Sequence, residues 1–179
     1  MHDRAVLSFY NPTIRLEAPR ALAQVRFAST LGGAMPNRIR SAVLGDLDRL
    51  VALDHIALRE VTRIARIQRG IDRGTCWVAD DNNGRPLGYA LLNKKAFFGF
   101  DFLELLYVEL SARRRGVGRA LIEHLERECT TAKLFTSTNE SNTAMREILA
   151  RLGYHWSGVI YNLDKNDPEF IFVKLLAAT

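Results

Sequence analysis

Between residues 37 and 176 the spacing of apolar positions changes several times. Residues 37–42 (NRIRSA) alternate as a short strand does. Leu47, Leu50, Val51 and Leu53 follow at helical spacing behind Asp46, which is placed to cap them. Residues 59–69 (REVTRIARIQR) set Val61, Ile64, Ala65 and Ile67 on one side and arginines opposite, predicting a helix with a solvated basic face that ends at Gly70 and Gly74. A period of two returns in 75–79 (TCWVA) and 87–93 (LGYALLN). The intervening DNNGRP has the Asn, Gly and Pro chemistry of a turn, so the pair reads as a hairpin. A longer connection over 94–101 leads to 102–110 (FLELLYVEL), whose near-continuous apolar character marks a central strand.

The second half reads in the same way. A helix over 116–130 turns Val117, Leu121, Ile122 and Leu125 inward, a buried strand covers 134–137 (LFTS), and a helix over 141–152 carries Ala144, Met145, Ile148, Leu149 and Leu152 as its stripe. Gly153 stands where a C-terminal cap is expected. Strands at 159–163 and 170–176 are joined by the polar turn DKNDP, with His155 in the loop before them. The order β-α-α-β-β-β-α-β-α-β-β predicts an α/β sheet of mixed direction, with the strand-helix-strand unit around residue 115 as a right-handed parallel crossover.

A chain of 179 residues, 47% of them hydrophobic, builds one well-buried core. The expected arrangement is one domain over 37–179 behind an N-terminal extension over 1–36. That extension contains arginines, few acids and Pro12, Pro19, Gly32 and Gly33, and lacks the apolar segment of a secretory signal. It reads as a loosely ordered segment, as translation from a start upstream of Met35, or as a transit peptide. No apolar run approaches the roughly 18 residues that span a bilayer, so the expectation is a soluble, cytoplasmic protein without a membrane partner. The formal charge of +5 favours an anionic ligand, but 20 acidic residues interrupt the basic ones, and a nucleic-acid partner is not indicated. Cys76 and Cys129 lie outside any metal-binding spacing and read as buried, reduced thiols. His2, His55, His124 and His155 are scattered, so no metal is expected.

The chemistry concentrates in residues 111–127, SARRRGVGRALIEHLER, where arginines and two glycines enter a helix directly behind the central strand. Helix N-termini present unpaired N–H groups to anions. Gly116 and Gly118 leave the backbone bare and free to take positive φ, and Arg113, Arg114, Arg115 and Arg119 surround the point with positive charge. There is no G-K-[ST] ending and no G-x-G-x-x-G, so neither a nucleotide triphosphate with Mg²⁺ nor a dinucleotide is suggested; a pyrophosphate held without a metal fits better.

R-x-x-G-x-G behind an apolar strand, with N-x-x-M about 25 residues later and then L-G-Y, resembles the GNAT superfamily of acetyl-CoA-dependent N-acyltransferases over residues 38–174. The resemblance implies a mixed, mostly antiparallel sheet flanked by helices, with a V-shaped splay of strands at the cofactor site. It implies that Arg113, Arg114, Arg115, Gly116, Val117, Gly118 and Arg119 cradle the coenzyme A pyrophosphate, that the Leu106, Tyr107 and Val108 backbone pairs with pantetheine and polarises the thioester carbonyl, and that Asn142 contacts the pantetheine arm. It further implies direct attack of an amine on acetyl-CoA, and it admits a homodimer. The position where many members carry a tyrosine acid is Leu149 here, so Tyr154, Tyr107, Tyr161 or a water is the substitute considered. Glu104 interrupts the apolar strand and, by the pleat, shares a face with Val108; it is the candidate base, against the alternative of a structural carboxylate. Asp167 and Glu169 are candidates to line the acceptor pocket. The alternative activity is an acetyl-CoA-binding protein with a regulatory and not a catalytic role.

Overall fold

A computed structural model describes residues 38–176; the extension expected over 1–36 lies outside them. The chain runs β1 (Arg38–Ser41), α1 (Leu47–Leu53), α2 (Val61–Asp72), β2 (Cys76–Asp80), β3 (Pro86–Phe97), β4 (Phe100–Val108), α3 (Val117–Glu128), β5 (Lys133–Asn139), α4 (Thr143–Arg151), β6 (His155–Asp164) and β7 (Asp167–Leu175), with single 3-10 turns before α1 and after β4. The strands form one sheet in the order β1-β2-β3-β4-β5-β7-β6. Neighbours are antiparallel except β4 and β5, which are parallel, as a strand-helix-strand crossover through α3 requires.

Helices cover the two faces. On one, Leu92, Leu103, Leu134 and Phe172 meet Val117, Leu121, Ile122 and Leu125 of α3 and Leu149 of α4. On the other, Cys76, Val78, Tyr89, Leu91, Leu105 and Tyr107 meet Leu50, Ile67 and Ile71 of α1 and α2. α3 buries the whole of its predicted stripe, whereas α2 buries Ile67 and half-buries Ile64 but leaves Val61 and Ala65 exposed, and α4 leaves Ala144 exposed. Cys76 and Cys129 are both free thiols; Cys76 is buried, which pushes its thiol up to about 12, and Cys129 is half-buried.

Several expectations are corrected. The long connection over 94–101 is a continuation of β3 and a two-residue hairpin. Phe98 and Gly99 have φ of 49° and 82°, the handedness that suits a tight hairpin, and Phe97 pairs with Phe100. Lys94 and Lys95 lie on an exposed strand extension. Asp101, at the start of β4, is fully buried and holds this region by accepting from the Lys95 and Thr130 amides at 2.9 and 2.8 Å. Asp46 does not cap α1 with its side chain; it accepts from the Val43 amide and from Arg40, which also reaches Asp80. β6 begins at His155, so that residue is in a strand and not a loop.

The basic face of α2 is also less solvated than its pattern predicts. Arg63 Nε donates to Asp54 at 2.6 Å, and the Asp54 side chain is fully buried. Asp54 also accepts from the Tyr89 hydroxyl and from the Ile56 and Ala57 amides. Burial works to raise its pKa, but the Tyr89 and Arg63 bonds outweigh it and the carboxyl stays below its ordinary range. The Arg40 bond likewise holds Asp46 below it. Groups with depressed folded-state pKa values stabilise the fold above their unfolded value of about 3.9, and that stability is lost as pH falls further. The urea midpoint should therefore decline as pH drops below about 4. Arg63→Ala strands a buried carboxylate and should lower unfolding stability by about 3–5 kcal/mol, measured by urea denaturation at neutral pH.

Candidate active site

The site begins where the parallel pair stops. β4 and β5 are in register only at Asp101 with Leu134, Phe102 with Phe135 and Leu103 with Thr136. Beyond that point the strands part, giving the V-shaped splay. The Thr136 hydroxyl closes the apex by donating to the Leu103 carbonyl at 3.1 Å. On its other edge β4 keeps its partner: Leu105, Leu106, Tyr107 and Val108 pair with Leu91, Ala90, Tyr89 and Gly88. Gly88 is needed there, because a Cβ would stand 2.5 Å from the Tyr107 carbonyl oxygen.

The register of β4 against β3 slips at the apex. Leu91 faces Leu105 but Leu92 faces Leu103, so Glu104 is the extra residue of a bulge. The slip exchanges the faces of the strand. Leu103 packs under α3, whereas Leu105 and Tyr107 pack under α2, and Leu106 and Val108 turn toward α3. Glu104 accordingly does not share a face with Val108. It lies on the α2 side, accepting from Asn93 Nδ2 at 2.6 Å and standing 3.7 Å from Arg66 Nε. Strict alternation misplaced it because the pleat is interrupted at this residue.

The loop after β4 supplies the anion cradle. Arg114 and Gly116 both take positive φ, 62° and 82°, and α3 starts directly afterwards. The first helical bond made back to the loop runs from the Ala120 amide to the Gly116 carbonyl, and the Val117, Gly118 and Arg119 amides have no acceptor among the described residues. Gly118 contributes differently from expectation. Its φ is not positive; its bare α-carbon faces inward, where a Cβ would stand 3.6 Å from Val108, 3.7 Å from Ile148 and 3.8 Å from Leu106. It lets the N-terminus of α3 sit against the open arm of β4.

The arginines divide. Arg113 Nε donates to the Val108 carbonyl at 3.1 Å, and its guanidinium lies 5.9 Å from the Tyr107 ring centroid. Arg119 pairs with Glu123 one turn on. Arg114 and Arg115 are exposed. Across the splay, Asn142 caps α4, accepting from the Met145 amide at 3.2 Å and donating to Thr138 of β5 at 3.0 Å.

Tyr154 is not brought to this place. Its hydroxyl is buried near Glu126, and neither it nor Glu126 Oε1 has a hydrogen-bond partner. Burial, reinforced by the Glu126 charge, holds the phenol well above its ordinary range. Glu126 lies ten residues along from Gly116, roughly 15 Å at helical rise. Leu149 is fully buried in the same core. Asp167 accepts from the Ser141 amide and hydroxyl at 3.0 and 2.7 Å, and burial, with Asp164 and Asp167 nearby, raises Glu169.

One part of the site escaped the sequence reading. The Tyr107 hydroxyl meets His55 Nδ1 at 2.8 Å, and the Tyr107 ring lies between the Arg63 and Arg113 guanidinium groups, each 5.9 Å from its centroid. This ties the connection between α1 and α2 to the strand beside the cradle. The available signal was a pair of tyrosines, Tyr89 and Tyr107, in otherwise apolar strands.

A parallel strand pair that opens beside an amide-rich helix start defines an α/β protein that can hold an extended, anionic-ended ligand against bare main chain. The profile of the acetyltransferase (GNAT) family matches residues 47–154, more than half of the sequence, and the chain belongs to that family. Among solved structures it is similar to a GNAT-family acetyltransferase from Bacillus cereus, at 33% identity and a TM-score of 0.72, covering 79% of this chain and 98% of that one. It is also similar in fold to a ribosomal-protein-alanine N-acetyltransferase from Brucella melitensis, at 23% identity, a TM-score of 0.65 and coverage of 78% and 99%. A third similar fold is yncA from Salmonella typhimurium, solved with its cofactor acetyl-CoA, at 19% identity, a TM-score of 0.62 and coverage of 79% and 95%. No curated protein matches the chain significantly.

The two glycines of the cradle should separate experimentally. Gly116→Ala forces a β-carbon into the left-handed region and should cost about 1–2 kcal/mol, with weakened acetyl-CoA binding by calorimetry. Gly118→Ala meets only ordinary contacts and should keep both stability and binding, whereas Gly118→Asp drives a carboxylate between α3 and β4 and should abolish binding.

Proposed function

We propose that the protein transfers the acetyl group of acetyl-CoA to a primary amine of a small molecule or a peptide by direct attack. The observation that carries this reading is the coincidence, at one end of β4, of the strand splay, the amide cradle of α3 and a carboxylate at the apex. The residues fit the cosubstrate. The Val117, Gly118 and Arg119 amides, under the charges of Arg113, Arg114 and Arg115, suit a pyrophosphate. The unpaired edge of Leu106, Tyr107 and Val108 suits the amide groups of pantetheine, with Asn142 on the facing side. When bound, acetyl-CoA supplies a thioester carbonyl and a thiol leaving group. A β4 amide near Val108 is the donor for the oxygen that gains charge.

Glu104 takes the role of base. It faces the α2 side, away from the cradle, so an acceptor entering from that side would meet the carboxylate with its ammonium group. Glu104 removes a proton from the ammonium, leaving a neutral amine whose nitrogen bonds to the acyl carbon as the C–S bond breaks. Because a thiol has a pKa of about 8.5, the sulfur can leave as thiolate and take up, through water, the second proton that the nitrogen sheds as the amide forms. That removes the need for a tyrosine at position 149 or for Tyr154.

The alternative, binding of acetyl-CoA without transfer, draws support from the leucine at position 149 and the burial of Tyr154. Thiol release measured across a panel of amines, polyamines, amino acids and peptide N-termini separates the two. Transfer predicts release above background with at least one acceptor, and tight acetyl-CoA binding without any release favours the regulatory reading. With an acceptor found, Glu104→Gln should lower turnover by about 10²–10⁴-fold and alter the pH–rate profile, with acetyl-CoA affinity retained. An unchanged profile would sink the assignment of Glu104.

A further inference from the structure

Five of the chain's nine phenylalanines meet on a patch of the sheet that neither core uses. Leu92 and Leu103 face each other and pack under α3, so their neighbours Asn93 and Phe102 turn to the α2 side. Phe135 is the β5 partner of Phe102 and shares its face. The Phe97 ring joins them, its centroid 5.4 Å from that of Phe102 and 4.9 Å from that of Phe135. Phe100 lies 5.7 Å from Phe135, and Phe98, at the hairpin tip, stands edge-on to Phe97 and is 89% exposed. The core beneath α1 and α2 draws on no residue of β5, β6 or β7. The rings therefore lie beyond it, and Phe97, Phe100, Phe102 and Phe135 are each partly exposed. A contiguous aromatic surface left open to water marks a place where something binds.

We propose that this patch receives the acceptor, and that the acceptor is a primary monoamine carrying an aromatic ring on a short alkyl tether. The inference rests on acetyl transfer with Glu104 as base and adds which amine is taken. Two features select that occupant. The first is Glu104, which ends the patch at the apex. Its carboxylate is on the face of Phe102, as its bond from Asn93 requires, and roughly 6–7 Å along the strand at ordinary rise. A short tether spans that interval between a ring and an ammonium group. A ring set against the exposed parts of Phe102 and Phe135 thus brings its nitrogen to the carboxylate at the point where β4 and β5 part. On the β5 side, Val173, the β7 partner of Phe135, continues the apolar floor. The second feature is the charge at the far end of the patch. Lys133 Nζ lies 5.2 Å from the Phe100 ring centroid, and Lys95 is exposed on the adjoining strand. Asp101, the carboxylate nearest them in the chain, is fully buried and already accepts from the Lys95 and Thr130 amides. A diamine laid along the patch brings its second ammonium to these lysines, whereas an uncharged ring finds faces and edges of phenylalanine to pack on.

With acetyl-CoA saturating, thiol release should give a kcat/KM for 2-phenylethylamine about tenfold above those for propylamine and spermidine. Phe135→Ala, checked for its far-ultraviolet spectrum and acetyl-CoA affinity, should reduce the preference for 2-phenylethylamine over propylamine about tenfold, and Phe135→Tyr, which keeps the ring, should retain it. Calorimetry on the unaltered protein loaded with coenzyme A gives a reading that needs neither a variant nor turnover: 2-phenylethylamine should bind about tenfold more tightly than propylamine. Release with spermidine, propylamine or a peptide N-terminus at an equal or higher kcat/KM overturns the aromatic assignment and leaves acetyl transfer standing. Binding of 2-phenylethylamine with no release from any amine overturns transfer and keeps the patch as a ring-binding site. If 2-phenylethylamine neither binds nor reacts, or if Phe135→Ala folds and keeps the full preference, the proposal is wrong.

Discussion

Main-chain hydrogen bonds of a parallel strand pair are the constraint on which the site depends. Beyond Leu103 and Thr136 the partners that β4 and β5 would offer each other are withdrawn, leaving polar backbone inside a protein where such groups are costly to leave unmet. The fold tolerates this because β4 remains fully paired to β3 along Leu105–Val108 and β5 to β7 along its whole length. Each arm of the V is thus held from behind. An extended ligand with amides of its own can restore what the splay removes, and the helix that begins at Val117 offers the charged end of such a ligand a second set of free amides.

The supports of that arrangement are mostly polar contacts and close approaches. Asp101 joins the start of β4 to the end of α3, Asp54 joins the α1–α2 connection to α2 and β3 through Arg63 and Tyr89, and Arg113 reaches from the cradle back to Val108. Gly88 lets β3 approach β4 and Gly118 lets α3 approach it from the other side. Tyr107 meets His55 in the connection between α1 and α2 and Arg113 in the loop after β4, so the geometry of the cradle and that of this connection are linked through one ring.

The order of elements, the whole apolar stripe of α3 and the inner parts of those of α2 and α4 were legible in the sequence because a helix buried on one face must repeat its apolar residues every three to four positions. The parallel crossover and the glycine-bearing loop followed from the same logic. What stayed hidden were features set by single residues against their period. Phe98 adopts a left-handed turn that its side chain gives no hint of. Arg63 looked like one more arginine on a wet face, because its carboxylate partner comes from a separate element. Tyr154 sits in an L-G-Y motif that fixes its place in the chain, but the direction of its side chain is decided by packing against α3. The role of Gly118 was visible and its reason was not: close packing and not a positive φ.

Glu104 acts on the sheet as an inserted base acts on a reading frame. Upstream of it, odd-numbered side chains of β4 face α3; downstream, even-numbered ones do. Removing that one residue would set Leu103 directly before Leu105 and restore plain alternation, with Leu105 and Tyr107 still under α2 and Leu106 and Val108 still under α3. The insertion therefore leaves both cores as an uninterrupted strand would have them, and what it adds is a carboxylate at the apex on the α2 side, so a lineage could gain, lose or exchange that group at one position without reassigning any other side chain.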